Sequence, residues 1–441
     1  MADATTSFLI ALFLLLTLAV LVGELCNRIG QVALVGQLMV GVVLGPTLLG
    51  PFLGISGTSA SFSGLLTVAT FFILLMAGLA VSPEQIWDTG ISSLLLGIAI
   101  FLVPFLSGAA VVYVLYPNLS TTTSLFIALT ISITALPVLA IMLREFGLMK
   151  TRFGTFLLNS SVINELAAVT AFAVLLSITT SGDSSFNAVA ISVATVALFL
   201  TTVLSIHMAL RTLRHVRLWD RLVNRFRETW RSREAGFALL IVMGLGAALY
   251  SQFLGLTFVV GAFYSGLLVT PESAGAREHR SISFLFEAVT WGFFIPLFFA
   301  LVGFNTDFRT LFSTPLAVVL FASLCLFALM SKIAMGALVT RSLRWSRQES
   351  LAAGWLLTSR GAVELAMATI LLGLHIFTQP IFTIVAGVGL VTTCLSPIGA
   401  RPFVRGLTME RLVREEAGHQ PPVGSALPPR SLLPDEERAI L

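Results

Sequence analysis

The sequence predicts an all-α polytopic membrane protein with about thirteen transmembrane helices, and three observations carry that prediction. Of the 441 residues, 56% are hydrophobic and 11% are charged, whereas soluble domains carry roughly 25% charged residues. A soluble fold could not bury that much apolar surface, so we expect lipid to cover it. Hydrophobic runs of the length that a ~30 Å hydrocarbon core requires recur along the chain, and positive charges fall on alternate loops between them.

Thirteen hydrophobic runs are candidates for membrane spans. They lie at about residues 8–25, 31–49, 62–81, 92–116, 123–143, 153–179, 187–210, 235–252, 254–270, 284–303, 314–340, 350–373 and 380–400. The eighth and ninth runs are the least certain, because a very short polar interval separates them. The first run lacks a positively charged leader and continues as a full span, so no cleavable signal peptide is predicted.

The distribution of the 26 lysines and arginines predicts the topology. Almost all of them fall in loops that follow odd-numbered spans or in the C-terminal tail, whereas loops after even-numbered spans hold only Arg309. The positive-inside rule then places the N-terminus outside and the C-terminus in the cytoplasm, which requires an odd number of spans. This pattern explains the pI of 9.3 without nucleic-acid binding.

The basic segment 211–233 interleaves arginine with Leu, Val, Trp and Phe. It is typical of an amphipathic helix on an anionic lipid surface, and a loop that only sets topology is the alternative. No loop is large enough for a domain, and the Pro-rich tail after Arg401 is predicted to be disordered. With no room for an ATPase or a soluble catalytic domain, we expect an ion gradient to supply the energy.

The composition of the spans argues against enzyme chemistry. No histidine lies at mid-depth, and the three cysteines are far apart in sequence. An intramembrane protease or a zinc enzyme would therefore lack its usual side chains. We predict no enzyme activity and no cofactor.

Two spans are interrupted near their centres. The fifth contains SITALP (132–137), in which Pro137 cannot continue the helical hydrogen bonds, and the twelfth contains TSRG (358–361). Each is followed by one more span, and they run in opposite directions under the predicted topology. This arrangement predicts an inverted repeat whose two broken helices meet at the midplane, where half-helix ends bind ions.

Glu165 is the strongest candidate for a functional site. It lies about thirteen residues past Arg152, with Ser161 one turn earlier and Asn164 beside it. Burial favours the neutral form of a carboxyl group, so this one can hold either a proton or a cation. Competition between the two ions at one group is sufficient for antiport, with Glu165 as the ligand of a transported Na⁺ or K⁺.

Three further ionisable residues lie deep inside spans, and Glu287 lies near a span end. Lys332 is either an ion-coupling group, because a buried lysine can titrate, or an anchor for the carbonyl end of a broken helix. Arg360 and Glu364 stand four residues apart and would form a pair on one helix face. For Glu364 we favour this structural pairing over cation binding.

Six stretches in order along the chain carry a family resemblance. They are VGQLMVGVVLGP (35–46), ISITALPVLAIMLREFGLMKTRFG (131–154), SSVINELAAV (160–169), PLFFALVGFNTDF (296–308), SKIAMGAL (331–338) and SRGAVELA (359–366). Together they resemble bacterial monovalent cation:proton antiporters of the second cation:proton antiporter family. The resemblance extends over nearly all of the chain to about residue 400.

The resemblance implies the sodium/proton antiporter fold, in the bacterial inner membrane and as a homodimer. A core of two crossing broken helices would move as an elevator against a dimerisation domain. Within that fold Asn164 and Glu165 match the cation-binding acidic pair, Lys332 matches the eleventh-span lysine, Thr134 falls at the fifth-span crossover and Arg360 in the twelfth-span RG motif. The implied substrates are a monovalent cation and H⁺, with lipids as the other partners.

The implied domain boundaries follow the order of the spans. Residues 1–91 and 235–310 would be interface helices, 92–179 and 311–400 the two core repeats, 180–234 a linker with the basic segment, and 401–441 the tail.

This chain departs from the family pattern at several positions. Asn164 cannot titrate and removes the usual acidic partner of Lys332, and Gln37 replaces a second-span glutamate. One titrating carboxyl at this site predicts electroneutral 1:1 exchange of Na⁺ or K⁺ for H⁺. A K⁺ efflux channel-like system with a separate regulatory subunit, and an organic-anion symporter of similar fold, are the alternatives.

Overall fold

A computed structural model describes residues 4–49, 60–80, 90–149, 151–181, 186–213, 233–269, 276–312 and 314–416. Within these ranges the regular structure is entirely helical. The helices, in chain order, are α1 (Ala4–Arg28), α2 (Ala33–Leu44), α3 (Ala60–Leu79), α4 (Ile91–Leu115), α5 (Thr121–Ser132), α6 (Leu136–Glu145), α7 (Arg152–Ser181), α8 (Phe186–Leu213), α9 (Arg233–Phe253), α10 (Phe258–Leu268), α11 (Ala276–Val289), a π-helix (Thr290–Phe294), α12 (Ile295–Phe304), α13 (Phe308–Leu311), α14 (Pro315–Ser342), α15 (Arg347–Leu356), α16 (Ala362–Gly373) and α17 (Gln379–Glu416).

The prediction of a polytopic all-α membrane protein is confirmed. Ten helical segments of the described chain are long and apolar enough to cross a membrane, and each of the thirteen predicted runs overlaps a helix. Three of those runs contain only short helices, which are α2 with 12 residues, α10 with 11, and in the twelfth run α15 and α16 with 10 and 12. Twelve residues rise about 18 Å, less than the hydrocarbon thickness. The count of thirteen spans therefore stays a prediction.

The prediction of disorder from residue 401 is wrong for the residues that the structure describes there. α17 continues to Glu416. Apolar residues alternate with charged ones across 401–416, so the segment suits an α-helix, and the proline-rich composition begins only at Pro421. Residues 417–441 and most of the basic segment, 214–232, lie outside the described residues.

Both predicted interruptions are present. Residues 133–135 separate α5 from α6, and residues 357–361 separate α15 from α16. Pro137 sits in the first turn of α6, where its missing N–H costs no helical hydrogen bond. We call these two non-helical segments together the crossing.

The two halves of the crossing touch through their backbones. The Ala135 N–H donates to the Ser359 carbonyl oxygen at 3.1 Å. A Cβ on Gly361 would lie 2.6 Å from the Ala135 Cβ, closer than real Cβ contacts allow. Glycine at 361 is thus what lets the two broken helices cross at this distance.

Glycines also set the distance between α2 and α12. A Cβ on Gly41 would lie 1.9 Å from the Ala300 carbonyl oxygen, and one on Gly303 would lie 2.1 Å from that of Leu38. Such small-residue contacts let membrane helices pack backbone to backbone. The packed pair lies beside the crossing, because Leu34 of α2 and Phe299 of α12 line cavities that border Gly361 and Ala135.

Candidate ion-binding site

The C-terminal end of α5 is the centre of the polar site. A helix end leaves its last carbonyl oxygens without helical partners, and these carry partial negative charge. Here the end is buried, so side chains must supply the donors. Arg360 donates from Nη1 to the carbonyl oxygens of Thr130 (2.9 Å) and Ile133 (3.4 Å), and from Nη2 to that of Ile131.

Lys332 is the second cationic side chain at this helix end. It is fully buried on α14. Its Nζ donates to the Ser132 carbonyl oxygen at 2.5 Å and to the Thr134 hydroxyl oxygen at 2.7 Å. Of the two roles left open by the sequence, these contacts are those of an anchor for the carbonyl end of α5.

Asn164 uses both ends of its amide to brace the break between α5 and α6. Its Oδ1 accepts from the Thr134 N–H at 2.7 Å, and its Nδ2 donates to the Ser132 carbonyl oxygen at 3.2 Å. The Thr134 hydroxyl in turn donates to the Leu357 carbonyl oxygen at 3.0 Å, across the crossing. Asn164 and Thr134 therefore hold the extended backbone in place.

Glu165 differs from its neighbour in having no polar partner. Its side chain is fully buried, and neither carboxyl oxygen has a hydrogen-bond partner among the described residues. Ser161, one turn earlier, points its hydroxyl toward the Thr134 carbonyl oxygen at 3.5 Å, a distance at which a hydrogen bond is weak. A buried carboxylate without a partner is strongly unfavourable, so this group must carry a proton or bind a cation.

Arg360 and Glu364 form the predicted pair, with Arg360 Nη1 and Glu364 Oε2 3.5 Å apart. The pair does not lie on one continuous helix, because α16 begins at Ala362 and Arg360 belongs to the extended segment before it. Glu364 lies in the first turn of α16, where the helix dipole favours a negative charge.

The structure brings most of the predicted residues together. Thr134, Ser161, Asn164, Lys332 and Arg360 all contact the crossing or the end of α5, whereas no hydrogen bond or ion pair in the described chain joins Glu165 to any of them. In the part of the chain that the structure describes, no group of three His, Cys, Asp or Glu side chains could hold a metal ion.

Sequence reasoning offered the carbonyl end of a broken helix as one possible partner of Lys332, but it missed that Arg360 binds the same end and it missed one further residue. The individual acceptors are backbone carbonyls of α5, which no side-chain pattern identifies. The further residue is Thr393 of α17. Its hydroxyl accepts from the Arg360 N–H and donates to the Arg360 carbonyl oxygen, both at 3.1 Å. A threonine in an apolar span is too common to single out, so only its position opposite the twelfth-span break reveals it.

Comparison with known proteins identifies similar sequences along nearly the whole chain. A family model described as "Sodium/hydrogen exchanger, transmembrane" matches residues 12–406. The Na(+)/H(+) antiporter NhaS4 of Synechocystis sp. is 27% identical over 411 residues, covering 89% of this chain and 97% of that protein. The Na(+)/H(+)-K(+) antiporter GerN of Bacillus cereus is 26% identical over 396 residues, covering 88% and 94%.

A longer protein and a solved structure are also similar. K(+)/H(+) antiporter 1 of Saccharomyces cerevisiae is 28% identical over 409 residues, which are 88% of this chain and 45% of that protein. The structure of the sodium proton antiporter MjNhaP1 from Methanocaldococcus jannaschii at pH 8 matches with a TM-score of 0.64 at 16% identity, covering 88% of this chain and 94% of that one. At that identity the likeness concerns the fold.

Proposed function

This chain belongs to the sodium/hydrogen exchanger family, and we propose that it exchanges Na⁺ or K⁺ for H⁺, with Glu165 as the shared cation and proton site. The resemblance found in the sequence is confirmed by the family match over residues 12–406. The chain is a multi-pass membrane antiporter, and what we propose here is its ion, its site and its mechanism.

One observation carries the assignment of the site. Glu165 is fully buried, and its two oxygens lack partners among the described residues, although the neighbouring Asn164 has both amide ends bonded. A carboxyl in that position is neutral when protonated and neutral when a monovalent cation sits beside it. The buried carboxylate with neither ion bound is the unfavourable state. Cation and proton therefore replace each other at this group, and the unoccupied carboxylate is not populated.

The crossing supports this site by remaining rigid. Lys332 and Arg360 neutralise the carbonyl end of α5, so that end does not itself capture the transported cation. We propose that the two core repeats, 92–179 and 311–400, carry the site past the interface helices in an elevator movement. Two cavities between α2 and α12 on one side and α6, α16 and α17 on the other are consistent with a sliding surface there.

The remaining parts of the proposal concern placement. We infer a bacterial inner-membrane protein with its N-terminus outside and its C-terminus in the cytoplasm, because positive charges concentrate on alternate loops. We also infer a homodimer formed through the interface helices. Transport by this route needs no covalent chemistry and no cofactor, and lipids are the other partners.

The test is proton movement in proteoliposomes or everted vesicles loaded with a pH-sensitive dye. After an imposed pH gradient quenches the dye, Na⁺, K⁺ and Li⁺ are added in turn, with an organic anion as the control. Dequenching by Na⁺ or K⁺ is expected. Dequenching only by the organic anion, or K⁺ flux without proton movement, would contradict the proposal and favour a symporter or a channel.

A further inference from the structure

The second buried carboxyl, Glu364, has a local surrounding that its pairing with Arg360 does not explain. Both of its oxygens lack a hydrogen-bond partner among the described residues, and so do Arg360 Nε and the Ser359 hydroxyl. All three side chains are at most 2% exposed. Buried polar groups are nearly always hydrogen-bonded to protein or water. Apart from the 3.5 Å ion pair of Glu364 Oε2 with Arg360 Nη1, these four atoms have no polar partner, and their closeness within six residues points to a ligand at this position.

A cavity lies beside Arg360, one residue of this cluster. Arg360 and Thr393 are its polar lining residues, and Gly361 and apolar residues of α2, α12, α16 and α17 form the rest. Gly389 of α17 also lines it, and a Cβ there would lie 3.6 Å from Glu364 Oε1. Glu364 does not itself line the cavity, but Gly389 does, and its missing side chain leaves the carboxyl group separated by no side chain from a space that is large enough for a water molecule.

The charges that surround Glu364 are few. Helices α3, α5, α12 and α17 pack against α16. The first three carry no ionisable side chain, and the first on α17 is Cys394, followed by Arg401. The charges that act on Glu364 are therefore Arg360, 3.5 Å away, and Lys332, with which it interacts electrostatically. Glu364 is the counter-charge to both cationic groups that hold the end of α5.

We propose that Glu364 and this cavity form a second proton-binding site, distinct from Glu165, at which a water molecule joins the carboxyl group to Arg360. A proton from solvent is passed to that water, which transfers one proton on to Oε1 or Oε2 and remains a water molecule, and the carboxyl becomes neutral. Proton binding at Glu364 does not depend on the proposed exchange at Glu165. Only the effect of that proton on transport rests on the proposed function.

Proton binding at Glu364 has an electrostatic consequence for the transported ion. With Glu364 ionised, it offsets one of the two positive charges at the crossing. With Glu364 protonated, Arg360 and Lys332 have no acidic counterpart, and their field opposes a cation at Glu165. Acid therefore weakens cation binding twice, once by competition at Glu165 and once through Glu364.

The first experiment measures the apparent KM for the cation against pH. Two coupled protons raise KM by up to about 100-fold per unit of acidification, and one proton by up to about tenfold. We expect the wild type to approach the steeper limit, and Glu364→Gln to fall to the shallower one with KM raised at alkaline pH. The exposed Glu24→Gln is the matched control. A wild-type slope of one proton, or an unchanged steep slope in Glu364→Gln, overturns the proposal.

A second measurement needs neither Glu364→Gln nor transport. Infrared difference spectra of Glu165→Gln should retain a titrating carbonyl band from a buried carboxylic acid. The midpoint of that band should move in a further Gly389→Ala variant, whose methyl group displaces water from the carboxyl. It should not move with Gly373→Ala, which has open space around it. Absence of the band, or a band indifferent to Gly389→Ala, overturns the second site, whereas absence of exchange in the wild type contradicts the proposed function alone.

Discussion

Two adjacent residues of α7 have opposite surroundings, and this contrast defines the proposed site. Asn164 uses both ends of its amide to bond the backbone at 132 and 134. Glu165 makes no hydrogen bond to the described residues. An amide is well suited to the first role because it both donates and accepts. A carboxyl is suited to the second because it can exchange a proton for a cation.

At the residue scale, Glu165→Gln should abolish exchange and leave folding intact. The amide has nearly the same shape as the acid but can neither release a proton nor neutralise a cation. Cation-dependent dequenching in proteoliposomes measures the first effect, and thermal unfolding in detergent measures the second. Glu24→Gln, at the exposed end of α1, should retain both properties. Substantial cation-dependent proton movement in Glu165→Gln would remove this residue from the mechanism.

At the element scale, the end of α5 is held by residues from two other helical segments. Lys332 comes from α14 and Arg360 from the break before α16, and both donate to carbonyl oxygens of α5. The favourable placement of cations at a helix C-terminus adds to those hydrogen bonds. The broken helices are thus joined to the rest of the core through charge rather than through apolar packing alone.

Removal of the α14 contact should cost stability and leave exchange in place. In Lys332→Ala the Ser132 carbonyl oxygen keeps only its donor from Asn164, and the Thr134 hydroxyl loses its ammonium donor. A hydrogen bond to a charged group contributes about 1.5–3 kcal/mol. We expect a lower melting temperature with exchange still measurable. Lys150→Ala, at the only other lysine, is the control. Complete loss of transport at unchanged stability would instead assign Lys332 to ion coupling.

The closeness of the crossing gives another prediction at this scale. Gly361→Ala places a methyl group 2.6 Å from the Ala135 Cβ, so the two broken helices must separate. We expect lower thermal stability together with reduced exchange, because the braces from Asn164 and Arg360 span the same region. Gly373→Ala, at the other end of α16 with open space around it, should be neutral or stabilising by up to about 1 kcal/mol. Equal behaviour of the two variants would show that the crossing tolerates separation.

At the scale of the whole molecule, the charge carried across the membrane depends on how many protons accompany each half-cycle. Glu165 is the only group in this proposal that exchanges its proton for the cation. Asn164 cannot titrate, Lys332 and Arg360 are committed to backbone carbonyls, and Glu364 is expected to exchange its proton with the same side of the membrane in both half-cycles, so that this proton is not carried across. The loaded and the protonated carriers then have equal charge.

Exchange should therefore be electroneutral, with one proton for each cation. The measurement is Na⁺/H⁺ exchange in proteoliposomes under a K⁺-valinomycin potential, or under a potential from another ionophore if K⁺ is the substrate. Neither the rate nor the final pH gradient should change with the imposed potential. A pH gradient that follows the potential would contradict the one-carboxyl account and indicate a second transported proton, with Lys332 the first residue to examine.

The sequence by itself determined that this protein lies in a membrane and where two of its helices are interrupted. Hydrophobic run length and the alternation of charged loops depend only on local composition, so the membrane class followed directly from them. Pro137 and the TSRG stretch indicated the two breaks, because these residues act on their own backbone. Glu165, Lys332 and Arg360 could be singled out from the sequence because burying an ionisable group in a membrane span costs free energy, whichever residue its partner turns out to be.

Only the tertiary structure decided what those groups do. The partners of Lys332 and Arg360 are carbonyl oxygens about 200 and 230 residues away along the chain, and every residue has such an oxygen. The cavity beside Glu364 depends on the missing side chain of Gly389 in a different helix. Local composition shows only that burying a charge is unfavourable. Whether a partner offsets that cost depends on which distant backbone groups and which cavity the fold places beside the charge.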